Sequence, residues 1–187
     1  ANHLEGGKGD FAILSATTTS TNHNIWIDEM KKQLEDFDGL NLVTTVYGDD
    51  LADKSYREAQ GLLTSQPNVK VIVAPTTVGV LAASQAVKDA DKIGEVYVTG
   101  LGLPSEMAGA IKSGATKEFA IWNPIDLGYS ATQIAYRLIK GETDGAPGSE
   151  IEAGRMGKIA VGENGEAAMA DPFIYDASNI DEFSKIF

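Results

Sequence analysis

The sequence has no cysteine and almost no histidine. Without thiols, its 187 residues can form no disulfide, no cysteine-ligated metal site and no thiol nucleophile. The two histidines, His3 and His23, are too few for a multi-histidine zinc site, so we expect no bound metal. The absence of cysteine is compatible with an exported protein and does not require one.

Basic side chains are also scarce relative to acidic ones. The chain has 15 lysines and arginines against 27 acidic residues, which gives a formal net charge of −12. A nucleic-acid-binding surface needs a basic face that displaces counterions, so we expect no nucleic-acid partner. No apolar run approaches the roughly 18–20 residues that a membrane-spanning helix requires.

What the sequence does have is a five-fold alternation of short apolar strands and amphipathic helices. The predicted strands are residues 11–16, 40–47, 69–74, 95–100 and 117–122. The predicted helices are residues 24–37, 54–66, 78–90, 104–113 and 126–140. This alternation predicts a parallel sheet between two layers of helices, a flavodoxin-like (Rossmann-like) α/β fold. Ligands of such folds bind at loops beyond the carboxyl ends of the strands.

Several local signals define the ends of elements. Asp53 is a candidate N-cap of the second helix, and Gly114 is expected to end the fourth. The alternation stops after Lys140, where Asn164-Gly165 predicts an antiparallel hairpin of residues 155–162 and 167–175. The last segment, residues 179–183, is expected to form a short terminal helix or turn.

The loop after the first predicted strand, residues 15–24, is rich in hydroxyl and amide side chains, which make up eight of its ten residues. Hydroxyls and amides both donate and accept hydrogen bonds, as a neutral polyhydroxylated ligand requires. The same residue types are also ordinary loop and cap formers, and a single histidine such as His23 more often packs or caps than acts in catalysis. Composition leaves both interpretations open.

Two further loops offer candidate ligand contacts. Pro75 has no backbone donor, which leaves the hydroxyls of Thr76 and Thr77 to face the crevice, although either threonine could also cap the next helix. The Gly100–Gly102 turn, centred on Leu101, would let the backbone approach a ligand closely. It is not a dinucleotide-binding fingerprint, because the third glycine and the acidic partner are missing.

Aromatic and acidic residues follow two other strands. Trp122 and Asn123 end the fifth strand, where an indole face can stack on sugar C–H groups and an amide can bind hydroxyls. A buried core tryptophan is the alternative. Asp49 and Asp50 follow the second strand and could accept hydrogen bonds from a ligand, but turn residues are the favoured interpretation.

No catalytic motif accompanies these loops. The sequence has no nucleophile elbow, no phosphate-binding loop and no zinc-protease helix. An enzyme built on this sheet would need an acid–base pair or a phosphate loop at the strand ends. We therefore expect a binding protein that performs no chemistry and carries no cofactor.

Five segments carry a resemblance to a known family. They are Thr-Asn-His-Asn-Ile-Trp at 21–26, Val-Thr-Thr-Val-Tyr-Gly-Asp-Asp at 43–50, Val-Ile-Val-Ala-Pro at 71–75, Lys-Glu-Phe-Ala-Ile-Trp at 117–122 and Asn-Ile-Asp-Glu-Phe at 179–183. In these segments the chain resembles the periplasmic substrate-binding proteins of bacterial sugar ABC transporters, of the type I, ribose-binding-like class. The rhamnose-binding and autoinducer-2-binding subgroup is the most similar.

The resemblance implies a function. A monosaccharide would bind between two lobes that close by hinge bending, and a membrane permease would be the partner. Rhamnose is favoured, because autoinducer-2-binding proteins tend to carry an acidic residue where this chain has Asn22. The alternatives are an autoinducer-2-binding protein and the effector-binding core of a LacI-type transcription repressor, which shares the fold. A repressor would need a helix-turn-helix that this sequence does not contain.

The resemblance also implies site residues. Matched position by position, Asn22, His23, Pro75 and Thr77 fall at ligand-contacting positions, and Asn123 falls at a hinge position that often touches sugar. The full set of candidate contacts is Asn22, His23, Pro75, Thr76, Thr77, Leu101, Trp122 and Asn123.

The same resemblance implies a domain organisation. Residues 1–123 would belong to the family's second lobe, residues 124–170 to a segment that crosses to the first lobe, and residues 171–187 to a return. The first lobe, and half of the pocket, would then be missing. Apolar side chains without a partner would be Ile125, Ile134, Leu138, Ile159 and Phe173. We expect such a fragment to self-associate over them or to refold the helix onto its own sheet.

Overall fold

The computed structural model describes residues 4–187, so His3 lies outside the described residues. The strands are Gly9–Ser15 (β1), Leu40–Tyr47 (β2), Val69–Ala74 (β3), Tyr97–Gly100 (β4), Glu118–Ile121 (β5), Glu150–Glu152 (β6), Lys158–Ala160 (β7) and Phe173–Asp176 (β8). The α-helices are Thr21–Gln33 (α1), Ala52–Ser65 (α2), Thr77–Asp89 (α3), Pro104–Ser113 (α4), Pro124–Ile139 (α5) and Ile180–Phe183 (α6). Within residues 4–187, no helix combines the length and apolar character needed to cross a bilayer.

The chain forms two compact units. The larger runs through Ala120 and includes Ile174–Phe187, and the smaller is Ile121–Phe173. The assignment of these segments to the lobes of a longer protein stays a prediction.

The larger unit is built on a four-stranded parallel sheet of order β2-β1-β3-β4, which confirms the predicted α/β fold. The central strand β1 is apolar on both faces, as a parallel strand between two helix layers must be. Phe11 and Ile13 pack with Ile27 of α1. Ala12 and Leu14, whose side chains alternate with these, are fully buried on the other face.

Residues around β5 extend this sheet through isolated parallel bridges, Val98 with Thr116 and Leu101 with Ala120. β5 itself pairs with β8. The rings of Phe119 and Tyr175 stack with their centroids 5.2 Å apart, and burial raises the pKa of Tyr175. The terminal α6 confirms the short helix predicted there.

The smaller unit combines α5 with an antiparallel pair, β6 and β7. The predicted hairpin of residues 155–162 and 167–175 is therefore wrong. β7 pairs with the upstream strand because this register places Ile159 opposite Ile151 and buries both. Asn164-Gly165 still forms a turn, in which Gly165 N–H donates to the carbonyl of Gly162 (3.0 Å), but no strand ladder continues from it.

Helix boundaries follow local signals with one notable exception. Gly114 ends α4 with a left-handed backbone (φ 81°), as predicted. Leu51, not Asp53, occupies the N-cap position of α2. Asp53 lies within the first turn, where a hydrogen bond from Arg57 (2.9 Å) lowers the pKa of its carboxyl.

Candidate functional site

The carboxyl ends of the four parallel strands share one edge of the sheet in the larger unit. Backbone hydrogen bonds connect the loops that follow them. Gly48 N–H donates to the carbonyl of Ser15 (2.9 Å), which joins the ends of β2 and β1. Leu101 N–H donates to the carbonyl of Ala74 (3.0 Å), which joins the ends of β4 and β3. The loops therefore form one continuous rim, as expected for a ligand-binding edge.

The predicted boundaries placed Asn22 and His23 in the loop before the first helix. In the structure, both lie in the first turn of α1. The helix begins early because Ser20, at the N-cap position, already has an extended backbone (φ −70°, ψ 100°). The Ser20 hydroxyl donates to Oδ1 of the exposed Asn22 (3.1 Å). Backbone N–H groups in a first helical turn have no partner within the helix, so they can bind ligand oxygens.

His23 has a polar and an aromatic neighbour. Its Nδ1 is 3.5 Å from the hydroxyl oxygen of Ser15, and its ring stacks on Trp26 with centroids 5.3 Å apart. Partial burial lowers the pKa of His23, and the nearby charge of Asp50 opposes that shift. Near neutral pH the imidazole is therefore mainly uncharged. A neutral imidazole offers one donor and one acceptor, which suits a sugar hydroxyl.

The loop after β3 places Thr76 and Thr77 at the start of α3. Pro75 and Thr76 are buried, and Thr76 is only 7% exposed. Thr76 occupies the N-cap position, but its hydroxyl makes no capping bond and donates instead to the carboxylate of Asp50. The sequence had suggested that the Thr76 hydroxyl faces the crevice as a free donor. In the structure, that donor is already used by Asp50.

The glycines around Leu101 serve the protein's own packing. A Cβ on Gly100, whose φ is 149°, would lie 1.9 Å from the carbonyl oxygen of Ala74. A Cβ on Gly102 would lie 2.6 Å from Cγ of Met107. Close packing within the chain therefore accounts for both glycines, and a close approach of this backbone to a ligand stays a prediction. Leu101 itself is partly exposed at the rim.

Trp122 and Asn123 belong to the smaller unit, whereas the other six candidate contacts belong to the larger. Trp122 is partly exposed and so is not a core residue. Oδ1 of Asn123 caps α5 by accepting from the backbone N–H groups of Ile125 (2.9 Å) and Asp126 (3.4 Å). The cap occupies the amide oxygen, so the amide NH₂ is the group left for a ligand.

The sequence interpretation missed the role of Asp50. Asp49 and Asp50 do form a turn, both with left-handed backbones (φ 53° and 56°). Asp49 pairs with Lys54 (2.6 Å) on the surface. Asp50 instead accepts the bond from Thr76 and acts electrostatically on His23. The available signal was an aspartate in the turn that follows a parallel strand, three residues after the strand ends.

Ser15, His23 and Asp50 are the residue types of a hydrolytic triad, but their arrangement does not present a nucleophile. Ser15 is 1% exposed, so its hydroxyl is shielded from a substrate. Among residues 4–187 there is no group of three or more histidine or carboxylate side chains that could hold a metal ion. The edge offers hydrogen-bonding groups suited to a neutral polar ligand.

The sequence profile of the periplasmic binding protein domain matches residues 1–143. The chain belongs to this family. A sugar ABC transporter structure from Actinomyces odontolyticus is 43% identical, with a TM-score of 0.84, and the match covers 95% of this chain and 58% of that one. An ABC transporter solute-binding protein from Clostridium phytofermentas, with bound L-rhamnose, is 40% identical with a TM-score of 0.88, covering 97% and 61%.

Solved structures of much lower identity show a likeness of fold alone. LsrB from Clostridium saccharobutylicum, in complex with AI-2, is 16% identical with a TM-score of 0.80. The match covers 93% of this chain and 59% of the LsrB chain. The chain spans 58–61% of the length of the two more similar structures.

Proposed function

We propose that this chain is the sugar-binding part of a solute-binding protein that serves a bacterial ABC importer, with L-rhamnose as its ligand. The observation that carries the proposal is the rim of the parallel sheet. There, uncharged donors and acceptors of Asn22 and His23 share an edge with the loops at Pro75 and Leu101. Such groups match the hydroxyls of a neutral sugar. The similarity to the L-rhamnose-bound structure supports that sugar over others.

Binding in this proposal involves no covalent step. Hydrogen bonds from the rim of the larger unit would fix the sugar hydroxyls. The loaded protein would then meet a transporter permease outside the cytoplasm. The relatives with 43% and 40% identity are a sugar ABC transporter and a solute-binding protein, which favours import over a repressor function.

Because the chain spans 61% of the L-rhamnose-bound relative, it lacks a counterpart for part of that protein. We therefore expect a weak affinity, with a dissociation constant on the order of 1 mM, which corresponds to about −4 kcal/mol. Binding much tighter than this, as a complete pocket would give, would contradict this part of the proposal.

Chemical-shift mapping by NMR tests the proposal, because it detects millimolar binding. L-rhamnose should shift the backbone amides of residues 22–23, 76–77 and 101 in a saturable manner, and amides at the opposite edge, such as Asn41, should stay unchanged. D-allose and D-arabinose, ligands of more distant structures with this fold, should bind at least about tenfold more weakly. Autoinducer-2 is titrated in the same way, because it is the ligand of the alternative function.

Two outcomes would overturn the assignment. One is that L-rhamnose at tens of millimolar produces no shifts at these loops. The other is that autoinducer-2 or another sugar saturates them at a lower concentration, which would keep the binding function and replace the ligand.

A further inference from the structure

Asp50 lies where three loops of the strand edge meet. The Gly48 N–H bond to Ser15 holds the start of its turn against the end of β1. The carboxylate of Asp50 accepts the hydroxyl hydrogen of Thr76, which holds the turn against the end of β3. The turn after β2 is thus bonded to the ends of two other strands, to β1 by the backbone of Gly48 and to the loop after β3 by the side chain of Asp50.

The bond from Thr76 matters because that hydroxyl is buried. Thr76 is 7% exposed, and a buried hydroxyl without a partner is unfavourable because it loses its hydrogen bonds to water without replacement. Thr76 immediately precedes α3 and follows Pro75, so its position sets the path of the loop after β3. Asp50, in the turn after β2, therefore stabilises that path across the end of β1, which lies between β2 and β3 in the sheet.

The charge of Asp50 also acts on His23 across the rim. Other charged groups of α1 and of this turn are already paired. These pairs are Lys31 with Asp28 (3.6 Å), Lys32 with Glu29 (2.6 Å) and Lys54 with Asp49 (2.6 Å). Asp50 makes none of these pairs, so its charge remains available to the imidazole.

We propose that Asp50 is a positioning residue of the sugar site. Its hydrogen bond from Thr76 fixes the loop after β3, and its turn, which Gly48 bonds to Ser15, places a negative charge on the side of the rim where Nδ1 of His23 lies 3.5 Å from the Ser15 hydroxyl. The proposal rests on the proposed function, because it assigns Asp50 to the same rim. It corrects the view of Asp49-Asp50 as a plain turn: the two aspartates share a backbone conformation but differ in role. Asp49 is the surface partner of Lys54, and Asp50 organises the site.

The aspartates supply a matched pair of variants. Asp50→Asn keeps an acceptor for Thr76 and tolerates the left-handed backbone, but it removes the charge. Asp50→Gly keeps the backbone and removes the side chain. Asp49→Asn makes the same chemical change one residue away. The pKa of His23 is followed by NMR of its imidazole signals, which His3→Gln distinguishes from those of the other histidine, and L-rhamnose affinity is measured by shift titration.

We expect Asp50→Asn to lower the pKa of His23 further and to weaken L-rhamnose binding roughly three- to tenfold. Asp50→Gly should lower the pKa of His23, weaken L-rhamnose binding and also shift the amides of Thr76 and Thr77. Asp49→Asn should leave the His23 pKa and the L-rhamnose affinity unchanged. An unchanged His23 titration in Asp50→Asn, or an equal effect of Asp49→Asn, would overturn the proposal. If the unaltered chain bound no L-rhamnose, the proposed function would fail, while the His23 titration would still decide the role of Asp50.

Discussion

His23 makes the stability of the fold depend on pH. Partial burial lowers its pKa in the folded chain below the ordinary value of about 6.5. Between the lowered pKa and about 6.5, the unfolded chain binds more protons than the folded one. The contribution of His23 is therefore fully present above about pH 6.5 and is lost as the pH falls toward the lowered value.

Urea unfolding at about pH 7.5 and about pH 5.5 measures this effect, since that interval lies above the range in which carboxylates titrate. We expect the free energy of unfolding to fall between these pH values, and His23→Gln to show a smaller fall. His3→Gln is the control for the second histidine. A full fall in His23→Gln would show that another group is responsible.

Residue-level prediction succeeded where the property is local. The sequence predicted a strand followed by a polar loop, and β1 and the residues after it match that order, although Asn22 and His23 lie in the first turn of α1. It could not assign Thr76 to Asp50, because that bond joins residues 26 positions apart and needs a left-handed backbone at an aspartate. Whether the eight candidate residues contact a ligand stays a prediction.

At the scale of elements, two glycines in different settings give opposite expectations. Gly100→Ala should destabilise the fold by about 1–3 kcal/mol, because its Cβ would meet the Ala74 carbonyl at 1.9 Å at the end of β4. Gly61→Ala, inside α2 with nothing within 4 Å, should stabilise by about 0.5–1 kcal/mol.

Chemical denaturation of both variants checks this pair. Both variants replace glycine with alanine. The type of substitution alone therefore cannot lower the free energy of unfolding in one variant and raise it in the other. Equal changes in stability would mean that the end of β4 adjusts to admit a side chain.

Elements were predictable where their signals are periodic and local. The strands at 40–47 and 69–74 match β2 and β3, and the helix at 104–113 matches α4. The hairpin failed because strand pairing is not local: Asn164-Gly165 indicated a turn, but burial of Ile159 opposite Ile151 decided the partner of β7. A strong turn signal therefore predicted the bend and not the ladder.

At the scale of the whole molecule, net charge and exposed apolar surface act on self-association in opposite directions. The chain has a formal net charge of −12, which repels a second copy. α5 packs on β6 within its own unit, yet it leaves apolar side chains exposed, among them Ile125 (55%) and Ile139 (85%). Ile159, which we had expected to lack a partner, is buried and takes no part in this surface.

This balance predicts weak self-association that strengthens with salt, because screening reduces the repulsion between acidic copies while apolar contact persists. Light scattering after size exclusion, at low and high ionic strength, should show a mass above that of one chain, most clearly in high salt. Ile139→Lys should reduce it, and Ile186→Lys, which changes an exposed isoleucine (51%) of the other unit, should not. A folded monomer under all these conditions would show that α5 is stable in water without a partner, and the expected self-association would be wrong.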